Sequence, residues 1–310
     1  MSRFRLGIDI GGTNTTFGIV DASGKIVAKS SISTRGHNSP ETFVAALFEE
    51  YKKAFDRTLQ DGVTHIGVGA PNGNYYTGNI EFAPNLEWKG VIRLAELIEA
   101  QFQRPTKVSN DANAAAMGEM MYGAAQGMKD FIMVTLGTGV GSGFVANGQV
   151  IYGHDGFAGE LGHVIAVRDG RQCGCGRKGC LETYTSATGI VKTVYEFLTK
   201  DSRATPLREK QDITAKDIYD AACLGDAMAL EIFDYTGKIL GQTLADAVAI
   251  TSPEAIILFG GLAQAGDYIM NPTRNYMEEN LLHIFKNKVK LIPSLLKESD
   301  VAILGAAALD

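Results

Sequence analysis

Short apolar runs that end in turn-forming residues dominate the first third of the chain. Such runs predict buried strands at Phe4–Ile10, Thr15–Val20, Ile26–Ile32, His65–Ala70 and Thr106–Ser109. Between them, apolar side chains recur every four residues from Phe43 to Phe55, as on one face of a helix. Helices are therefore predicted at Pro40–Leu59, Val91–Phe102 and Ala112–Tyr122.

The second half begins with the same pattern. An apolar run at Phe131–Leu136 ends in the glycine-rich turn Gly137–Gly143, and Phe144–Ala146 continues as a strand before the hairpin signal Asn147-Gly148. A strand, a Gly/Thr turn and a second strand thus occur twice, about 127 positions apart, from Phe4 to Phe131. This repetition predicts an internal duplication of one α/β unit.

The remaining pattern is mainly helical and sets the expected domain limits. A helix is predicted at Asp226–Ile250, a strand at Ala255–Phe259 and a small-residue helix at Val301–Leu309. We expect a smaller α/β domain over residues 1–120 and a larger one over residues 121–299. The last helix, near residues 300–310, is expected to pack back on the first domain.

Composition narrows the class of protein. Charged residues make up 21% and hydrophobic residues 45% of the chain, as in ordinary globular proteins. The net charge of −6 and the lack of a Lys/Arg run argue against nucleic-acid binding. The longest apolar run, Ala255–Ala265, is too short to span a bilayer, so no membrane partner is expected. No leader pattern precedes the first strand, and a cytoplasmic protein is the expectation.

Three of the four cysteines lie within eight positions of one another, at Cys173, Cys175 and Cys180, and His163 lies ten residues upstream of the first. Three thiolates and one imidazole form a closed tetrahedral zinc site of the structural kind. The alternative is a disulfide, although Cys173 and Cys175 are too close to pair comfortably and a reducing compartment is expected. Cys223 lies in an apolar helical pattern and is predicted to be a buried core residue.

Two glycine turns could hold a polyphosphate from opposite sides. The first, Asp9-Ile10-Gly11-Gly12-Thr13, follows a strand and offers backbone N–H groups, a hydroxyl and a carboxylate for Mg²⁺. The second, Gly137-Thr138-Gly139, is the repeat of the first. Neither is a Walker A loop, because no Gly-Lys-Ser/Thr follows. Glycine turns also join strands in many proteins without binding anything.

Asn110-Asp111 follows a strand, where ligand groups commonly lie in open α/β sheets. An aspartate there could accept a proton from a hydroxyl nucleophile. The alternative role for Asp111 is to cap the helix that follows. Glu160 and Glu182 flank the cysteine cluster, which favours a metal that supports a polar binding site.

Together these motifs resemble the ROK family of sugar kinases, and within it most closely the bacterial glucokinases. The resemblance covers nearly the whole chain. It is carried by Asp9–Thr13, Ala83–Trp88, Asn110–Ala114, Leu136–Gly143, Gly159–His163, the cysteine cluster and Gly260-Gly261. It implies a two-domain actin-like (ribonuclease H-like) fold with a cleft between the domains, and a homodimer or homotetramer.

The resemblance also implies roles for individual residues. Asp111 is the implied catalytic base, beside the 6-hydroxyl of a hexose. The implied sugar ligands are Gly73, Asn85, Asn110, Glu160, His163 and Glu182. The implied phosphate contacts are Gly11, Gly12, Thr13, Thr138 and Gly139, with Gly260 and Gly261 as the adenosine loop. His163 is the implied fourth zinc ligand, with Cys173, Cys175 and Cys180.

The implied reaction is ATP-dependent phosphorylation of glucose, with Mg²⁺ as cofactor and a structural Zn²⁺. Many relatives have Pro-Gly where this chain has Pro71-Asn72-Gly73, followed by Asn74-Tyr75-Tyr76. This departure lies beside the implied sugar site and keeps fructose, mannose and N-acetylated hexosamines open as acceptors. A non-enzymatic sugar sensor is the alternative from another class, and the intact Asp111 and both phosphate turns count against it.

Overall fold

The computed structural model describes residues 4–309, and there it contains two five-stranded sheets. Residues 1–3 and Asp310, at the outer ends of the predicted domains, lie outside the described residues. The strands are β1 (Phe4–Ile10), β2 (Asn14–Val20), β3 (Ile26–Ser33), β4 (Val63–Ala70), β5 (Ile80–Glu81), β6 (Val91–Ile92), β7 (Thr106–Asn110), β8 (Phe131–Leu136), β9 (Val140–Ala146), β10 (Gln149–Val150), β11 (Ala255–Phe259) and β12 (Lys290–Pro293).

The two sheets share one topology. Their strand orders are β3-β2-β1-β4-β7 and β10-β9-β8-β11-β12. In each sheet the first three strands of the unit pair antiparallel, and two more strands then add in parallel on the other side. The duplication predicted from the apolar runs is therefore confirmed, and the fold is the predicted α/β class with repeated units.

Ten α-helices cover the sheets in the described part of the chain. They are α1 (Pro40–Ala54), α2 (Arg57–Gly62), α3 (Leu94–Phe102), α4 (Asp111–Tyr122), α5 (Glu182–Thr185), α6 (Ala187–Lys200), α7 (Ala215–Cys223), α8 (Ala227–Thr251), α9 (Asp267–Asn280) and α10 (Glu298–Ala307). One large core lies between the first sheet and α1 and α3, and another between the second sheet and α6–α9. No helix in residues 4–309 has the length and apolar character needed to cross a bilayer.

Two predicted helices are shorter than the sequence pattern indicated. The single helix predicted at Pro40–Leu59 breaks at Phe55, where the backbone is extended, and Asp56 caps the separate helix α2 by accepting the N–H of Leu59 at 2.9 Å. The helix predicted from Val91 begins only at Leu94, because Val91 and Ile92 pair with β5 instead. Strand pairing therefore outweighs the helical pattern at Val91 and Ile92, whereas a local cap divides the first helix.

The glycine-rich stretch after β8 is also mostly strand. Only Gly137–Gly139 forms the turn, and β9 starts at Val140. Gly141 and Gly143 face α4: a Cβ added to them would lie 2.9 Å from the Cβ of Ala112 and 2.7 Å from that of Ala116. These two glycines therefore allow a helix to lie directly against the second sheet.

The prediction that Cys223 is a buried core residue is wrong. Cys223 ends α7 and is exposed, whereas Ile218, Ala221 and Ala222 form the buried face of that helix. The apolar pattern was real, but Cys223 follows its last buried position by one residue and points about 100° away.

Helix α10 packs on the first sheet through two glycines. A Cβ added to Gly7 on β1 would lie 2.0 Å from the carbonyl oxygen of Ile303, and one added to Gly67 on β4 would lie 1.8 Å from that of Ala306. Both distances are far below van der Waals contact, so the helix backbone lies against the bare strand backbone. The last helix of the chain therefore packs on strands β1 and β4 of the first sheet.

This contact generates a stability prediction. Gly67→Ala forces the backbone of α10 off the sheet, and we expect it to lower the free energy of unfolding by about 2 kcal/mol or more. Ser31→Ala, at an exposed position of β3, should change it by less than about 0.5 kcal/mol. Urea denaturation measures both, and equal stability of the two variants would contradict the close packing.

Candidate functional site

A cavity of about 370 Å³ lies where the two sheets face one another. It is lined from the first sheet by the ends of β4 and β7 and by the segment at Pro84, and from the second sheet by the turn between β8 and β9. Eight residues predicted from sequence line it, namely Asn85, Asn110, Asp111, Thr138, Gly139, Glu160, His163 and Glu182. The fold thus collects polar groups that are up to 97 positions apart, from Asn85 to Glu182.

Parallel pairing of β1, β4 and β7 brings two aspartates together. Asp9 on β1 is opposite Gly69 on β4, and Ala70 of β4 is opposite Asn110, the last residue of β7. A Cβ added to Gly69 would lie 3.6 Å from Cα of Asp111 and 3.8 Å from Oδ1 of Asp9. Gly69 therefore separates the two carboxyl groups with only its backbone.

The capping role considered for Asp111 belongs mainly to its neighbour. Asn110 is the N-cap of α4 and its Oδ1 accepts the N–H of Ala112 at 2.9 Å. Asp111 is the first helical residue, and one of its oxygens also accepts that N–H, at 2.8 Å. Apart from its own N–H and that of Ala112, no group in residues 4–309 donates a hydrogen bond to this carboxylate, so it is available to a ligand.

The two aspartates differ from ordinary surface carboxylates. The side chain of Asp111 reaches the water of the cavity, but crowding by protein atoms raises its pKa, against the lowering effect of the Ala112 N–H. Burial first, and the charge of Asp111 second, raise the pKa of Asp9 from 3.8 to about 7. Asp9 has no hydrogen bond or ion pair in the described part of the chain. An unpartnered carboxyl beside a second one suits a divalent cation.

The two glycine turns approach the cavity from opposite sheets. A Cβ added to Gly12 would lie 2.8 Å from the carbonyl oxygen of Asn85, so the first turn touches the segment that lines the cavity. In the second turn, a Cβ added to Gly139 would lie 2.9 Å from Oε2 of Glu182. Backbone atoms of both turns therefore lie close to polar side chains that line the cavity.

Three polar side chains form a row on the second sheet's side of the cavity. His163 Nε2 lies 4.0 Å from a carboxylate oxygen of Glu160, and His163 Nδ1 lies 3.8 Å from one of Glu182. Burial raises the pKa of Glu160, His163 lowers it, and the charges of Asp111 and Glu182 raise it further. The charges of His163, Asp111 and Glu182 therefore all affect the pKa of Glu160.

The predicted cysteine and histidine cluster assembles next to this row. One ligand atom from each of His163, Cys173, Cys175 and Cys180 lies within 4.8 Å of the others. The distance from Cys173 Sγ to His163 Nδ1 is 3.7 Å, and that from Cys175 Sγ to Cys180 Sγ is 3.7 Å. A tetrahedral zinc with Zn–S bonds of about 2.3 Å has S···S edges of about 3.8 Å. The four side chains therefore fit a zinc ion.

Local backbone geometry produces this arrangement. Cys173 and Arg177 share a backbone hydrogen bond of 2.9 Å, which closes a tight turn around Cys175. Gly179 has a positive φ of 80°, and a Cβ there would lie 1.7 Å from the carbonyl oxygen of Val167. The Cys173 thiol also donates to Glu182 Oε1 at 3.0 Å, which links the cluster to the cavity.

The structure reveals two supporting residues that sequence analysis missed. The Ser142 hydroxyl donates to the carbonyl of Gly159 and accepts the N–H of Leu161 at 3.1 Å, so it holds the turn that carries Glu160. Arg171 donates to the carbonyl of Thr183 at 2.7 Å just after Glu182. Ser142 lay inside the glycine-rich motif, whereas nothing local marked Arg171.

The other predicted residues lie near the cavity but do not line it. Asp9, Gly11, Gly12 and Thr13 are not among the residues that line the cavity, although Gly12 lies against Asn85. Gly73 is buried against the carbonyl of Ser109. Gly260 packs on the carbonyl of Leu136, just before the second turn. Gly261 lines a separate cavity of about 360 Å³ with Ala187, Lys216 and Tyr219. Ala187 donates its N–H to the carbonyl of Gly137 at 2.8 Å, so this second cavity adjoins the turn.

Comparison with known proteins identifies the class of fold and site. The model of the ROK family matches residues 5–310, and the chain belongs to this family of sugar kinases and their relatives. It is 37% identical to a glucokinase of Halalkalibacterium halodurans over 284 residues, which cover 89% of this chain and 86% of that protein.

Solved structures agree with this assignment. A ROK family glucokinase from Streptomyces griseus, in complex with glucose and AMPPNP, matches with a TM-score of 0.80 and 31% identity over 98% of both chains. A ROK family transcriptional regulator, a homologue of the E. coli MLC protein, matches with a TM-score of 0.89 and 26% identity over 100% of this chain and 78% of that one.

The raised pKa of Asp9 generates a prediction about pH. The unfolded chain releases the proton of Asp9 near pH 4, whereas the folded protein retains it up to about pH 7. The contribution of this proton to the free energy of unfolding is therefore full below about pH 4 and is lost as the pH rises to about 7. Without added Mg²⁺, the free energy of unfolding should fall over this interval in the wild type. The fall should be smaller in Asp9→Asn. Urea denaturation at a series of pH values measures both slopes, and equal slopes would contradict the placement of Asp9.

Proposed function

We propose that this protein transfers the terminal phosphoryl group of ATP to the 6-hydroxyl of a hexose, with glucose as the preferred acceptor. The observation that carries the proposal is the carboxyl of Asp111, which is available to a ligand at the cavity between Asn110 and the second glycine turn. The similarity to glucokinases, one of them solved with glucose and AMPPNP, supports the acceptor and the donor.

On the acceptor side, polar groups of both sheets would hold the sugar hydroxyls. Asn85 and Asn110 face the cavity from the first sheet, and Glu160, His163 and Glu182 face it from the second. Carboxylates accept hydrogen bonds from hydroxyls, whereas the amides can donate as well. Asp111 would accept the proton of the attacking hydroxyl, and its raised pKa favours proton uptake at neutral pH. Gly73 does not line the cavity, so its role would be indirect: it allows the backbone after β4 to pack closely on Ser109.

On the donor side, the two turns would hold the phosphates. Gly11, Gly12 and Thr13 would contact them from the first sheet, and Thr138 and Gly139 from the second, through backbone N–H groups and hydroxyls. The cavity beside Gly260 and Gly261 adjoins the second turn and has room for the nucleoside. Mg²⁺ held by Asp9 would neutralise phosphate charge, which is the main requirement of phosphoryl transfer.

Zinc would have a structural role in this scheme. With Nδ1 of His163 toward the sulfurs and Nε2 toward Glu160, a bound metal would fix the ring tautomer and its direction. Glu182 would be positioned by the same cluster through the backbone, because it follows the proposed ligand Cys180 by two residues. The metal would thereby set the shape of the acceptor site without contacting the sugar.

The two sheets would act as two domains that close on the substrates, with limits near residues 1–120 and 121–299. Closure excludes water and so limits wasteful ATP hydrolysis. A homodimer or homotetramer is also part of the proposal. An apolar groove formed by Phe144, Ile151, Val164 and Ile250 supports it, because Ile250 is 84% exposed.

A sugar sensor without catalysis is the second candidate. The high structural similarity to a transcriptional regulator favours it, because that protein has the same fold. The two candidates differ in turnover: a kinase releases ADP only when a hexose is present, whereas a sensor binds the sugar and releases none. Fructose, mannose and N-acetylated hexosamines are the alternative acceptors for a kinase.

Replacement of Asp111 tests the proposed base. Asp111→Asn keeps the size and the hydrogen bond to Ala112 but cannot take up a proton. We expect kcat to fall by about 10²–10⁴, the usual contribution of a general base, with zinc content and melting temperature retained. Asp61→Asn, at an exposed position of α2, is the control. Turnover of Asp111→Asn within a few-fold of the wild type would remove Asp111 from this role.

Removal of one sulfur tests the link between metal and sugar site. Cys175→Ser should lower zinc content and weaken glucose binding together, because His163 and Glu182 lose their support. Cys223→Ser, at the exposed cysteine outside the cluster, should change neither. Zinc is measured by atomic emission and glucose binding by calorimetry. Unchanged glucose affinity in zinc-free Cys175→Ser would contradict the proposed support.

A further inference from the structure

Residues 71–76, where this chain departs from many relatives, contact the loop that follows β10 in the second half of the chain. The rings of Tyr75 and Tyr152 stack with centroids 4.1 Å apart and an interplanar angle of 4°. The Tyr76 hydroxyl donates to the carbonyl of Gly153 at 2.8 Å. We call residues 74–76 and 152–156 together the tyrosine clasp.

Asn74 completes the clasp and is itself firmly held. Its side chain is buried, with 2% of the residue exposed. Its Nδ2 donates to the carbonyl of Asp155 at 2.8 Å and to Glu81 Oε1 at 3.1 Å. Its Oδ1 accepts the N–H of Tyr76 at 3.0 Å, which shapes the tyrosine segment. Every polar atom of this amide is therefore used, and the amide joins the two segments of the clasp.

The clasp contacts β7, the strand that ends just before Asp111. Lys107 Nζ on β7 lies 5.1 Å from the centre of the Tyr75 ring, on the same strand as the carbonyl of Ser109 that contacts Gly73. The Tyr152 carbonyl accepts the N–H of Ala158 at 3.0 Å. The clasp is thus fixed to both walls of the cavity within a few residues of its lining.

We call the part of the cavity lined by Pro71, Asn72, Ala158 and Gly159 its acceptor end. The clasp joins the two chain segments that carry these residues. Asn74 follows Asn72 by two residues, and Gly156 precedes Ala158 by two. Building on the proposed hexose kinase activity, we propose that the tyrosine clasp determines acceptor specificity. It sets the width of the acceptor end, which admits a hexose with free hydroxyls and excludes one that carries an N-acetyl group.

The size of the cavity supports this inference. Its volume of about 370 Å³ has to hold both the acceptor and the transferred phosphoryl group, because its lining includes Asn110 and Thr138. This volume lies near the lower end of the range of about 300 to 1,000 Å³ for small-molecule pockets, so a wider acceptor end would add room for a further substituent. The stacked rings are half-buried, and the buried amide of Asn74, which makes hydrogen bonds to both segments of the clasp, adds resistance to widening.

Truncation of the stack tests the clasp. We compare kcat/KM for N-acetylglucosamine and N-acetylmannosamine with that for glucose, and take the ratio. Tyr75→Ala should raise this ratio by about tenfold or more, the scale on which one methylene is discriminated. Tyr152→Ala breaks the same stack from the other side and should give the same result if Tyr75→Ala does not fold. Tyr75→Phe keeps the ring and should keep the wild-type ratio.

A binding measurement separates the clasp from the proposed activity. Each sugar that binds the folded protein stabilises it by RT ln(1 + [L]/Kd), so melting temperatures measured over a series of sugar concentrations give the ratio of dissociation constants without turnover. Wild-type protein that binds glucose but never phosphorylates it would overturn the proposed kinase, while the ratio of dissociation constants would still test the clasp. A ratio that is unchanged in both alanine variants, or a change shared equally by all sugars, would overturn the clasp as a specificity element.

Discussion

The fold and the cavity depend on one constraint, the close packing of helix α4 between the second sheet and helix α10, which itself lies on the first sheet. Its small residues permit this: Ala112 and Ala116 lie under Gly141 and Gly143 of the second sheet. On the other side, Gly118 lies under Gly305 of α10, where a Cβ on Gly118 would be 2.9 Å from the Gly305 Cα. Larger side chains would push the sheets apart. The helix that carries Asp111 at its start is therefore also the element that sets the distance between the two halves of the cavity.

The polar groups of the cavity are coupled because each is oriented by a neighbour. Cys173 contacts Glu182, His163 lies between Glu182 and Glu160, and Ser142 holds the turn that carries Glu160. Burial mainly, and in addition repulsion from the charge of Asp111, raise the pKa values of Asp9 and Glu160 in the free protein. Bound cations and sugar hydroxyls would relieve that repulsion. The unliganded site is therefore suited to ligands that carry positive charge or donate hydrogen bonds.

Sequence analysis predicted those features whose signal is local. The apolar runs gave the strands and the duplication, and the spacing of Cys173, Cys175 and Cys180 indicated a cluster that the structure assembles with His163. Features that need partners far along the chain were not predictable. The stack of Tyr75 on Tyr152 joins positions 77 residues apart, and Val91 forms a strand only because β5 is available to pair with it. The error at Cys223 has a different origin. The helical pattern does not show that the buried face of α7 ends at Ala222, one residue before the cysteine.

The central claim is that Asp111 and the two glycine turns form one site for phosphoryl transfer to a hexose. Its most direct test is the release of ADP by the wild-type protein with Mg²⁺-ATP, with glucose and without any sugar. We expect ADP release that depends on glucose and matches the glucose 6-phosphate formed one to one. Tight glucose binding with no ADP release above the sugar-free rate would contradict it.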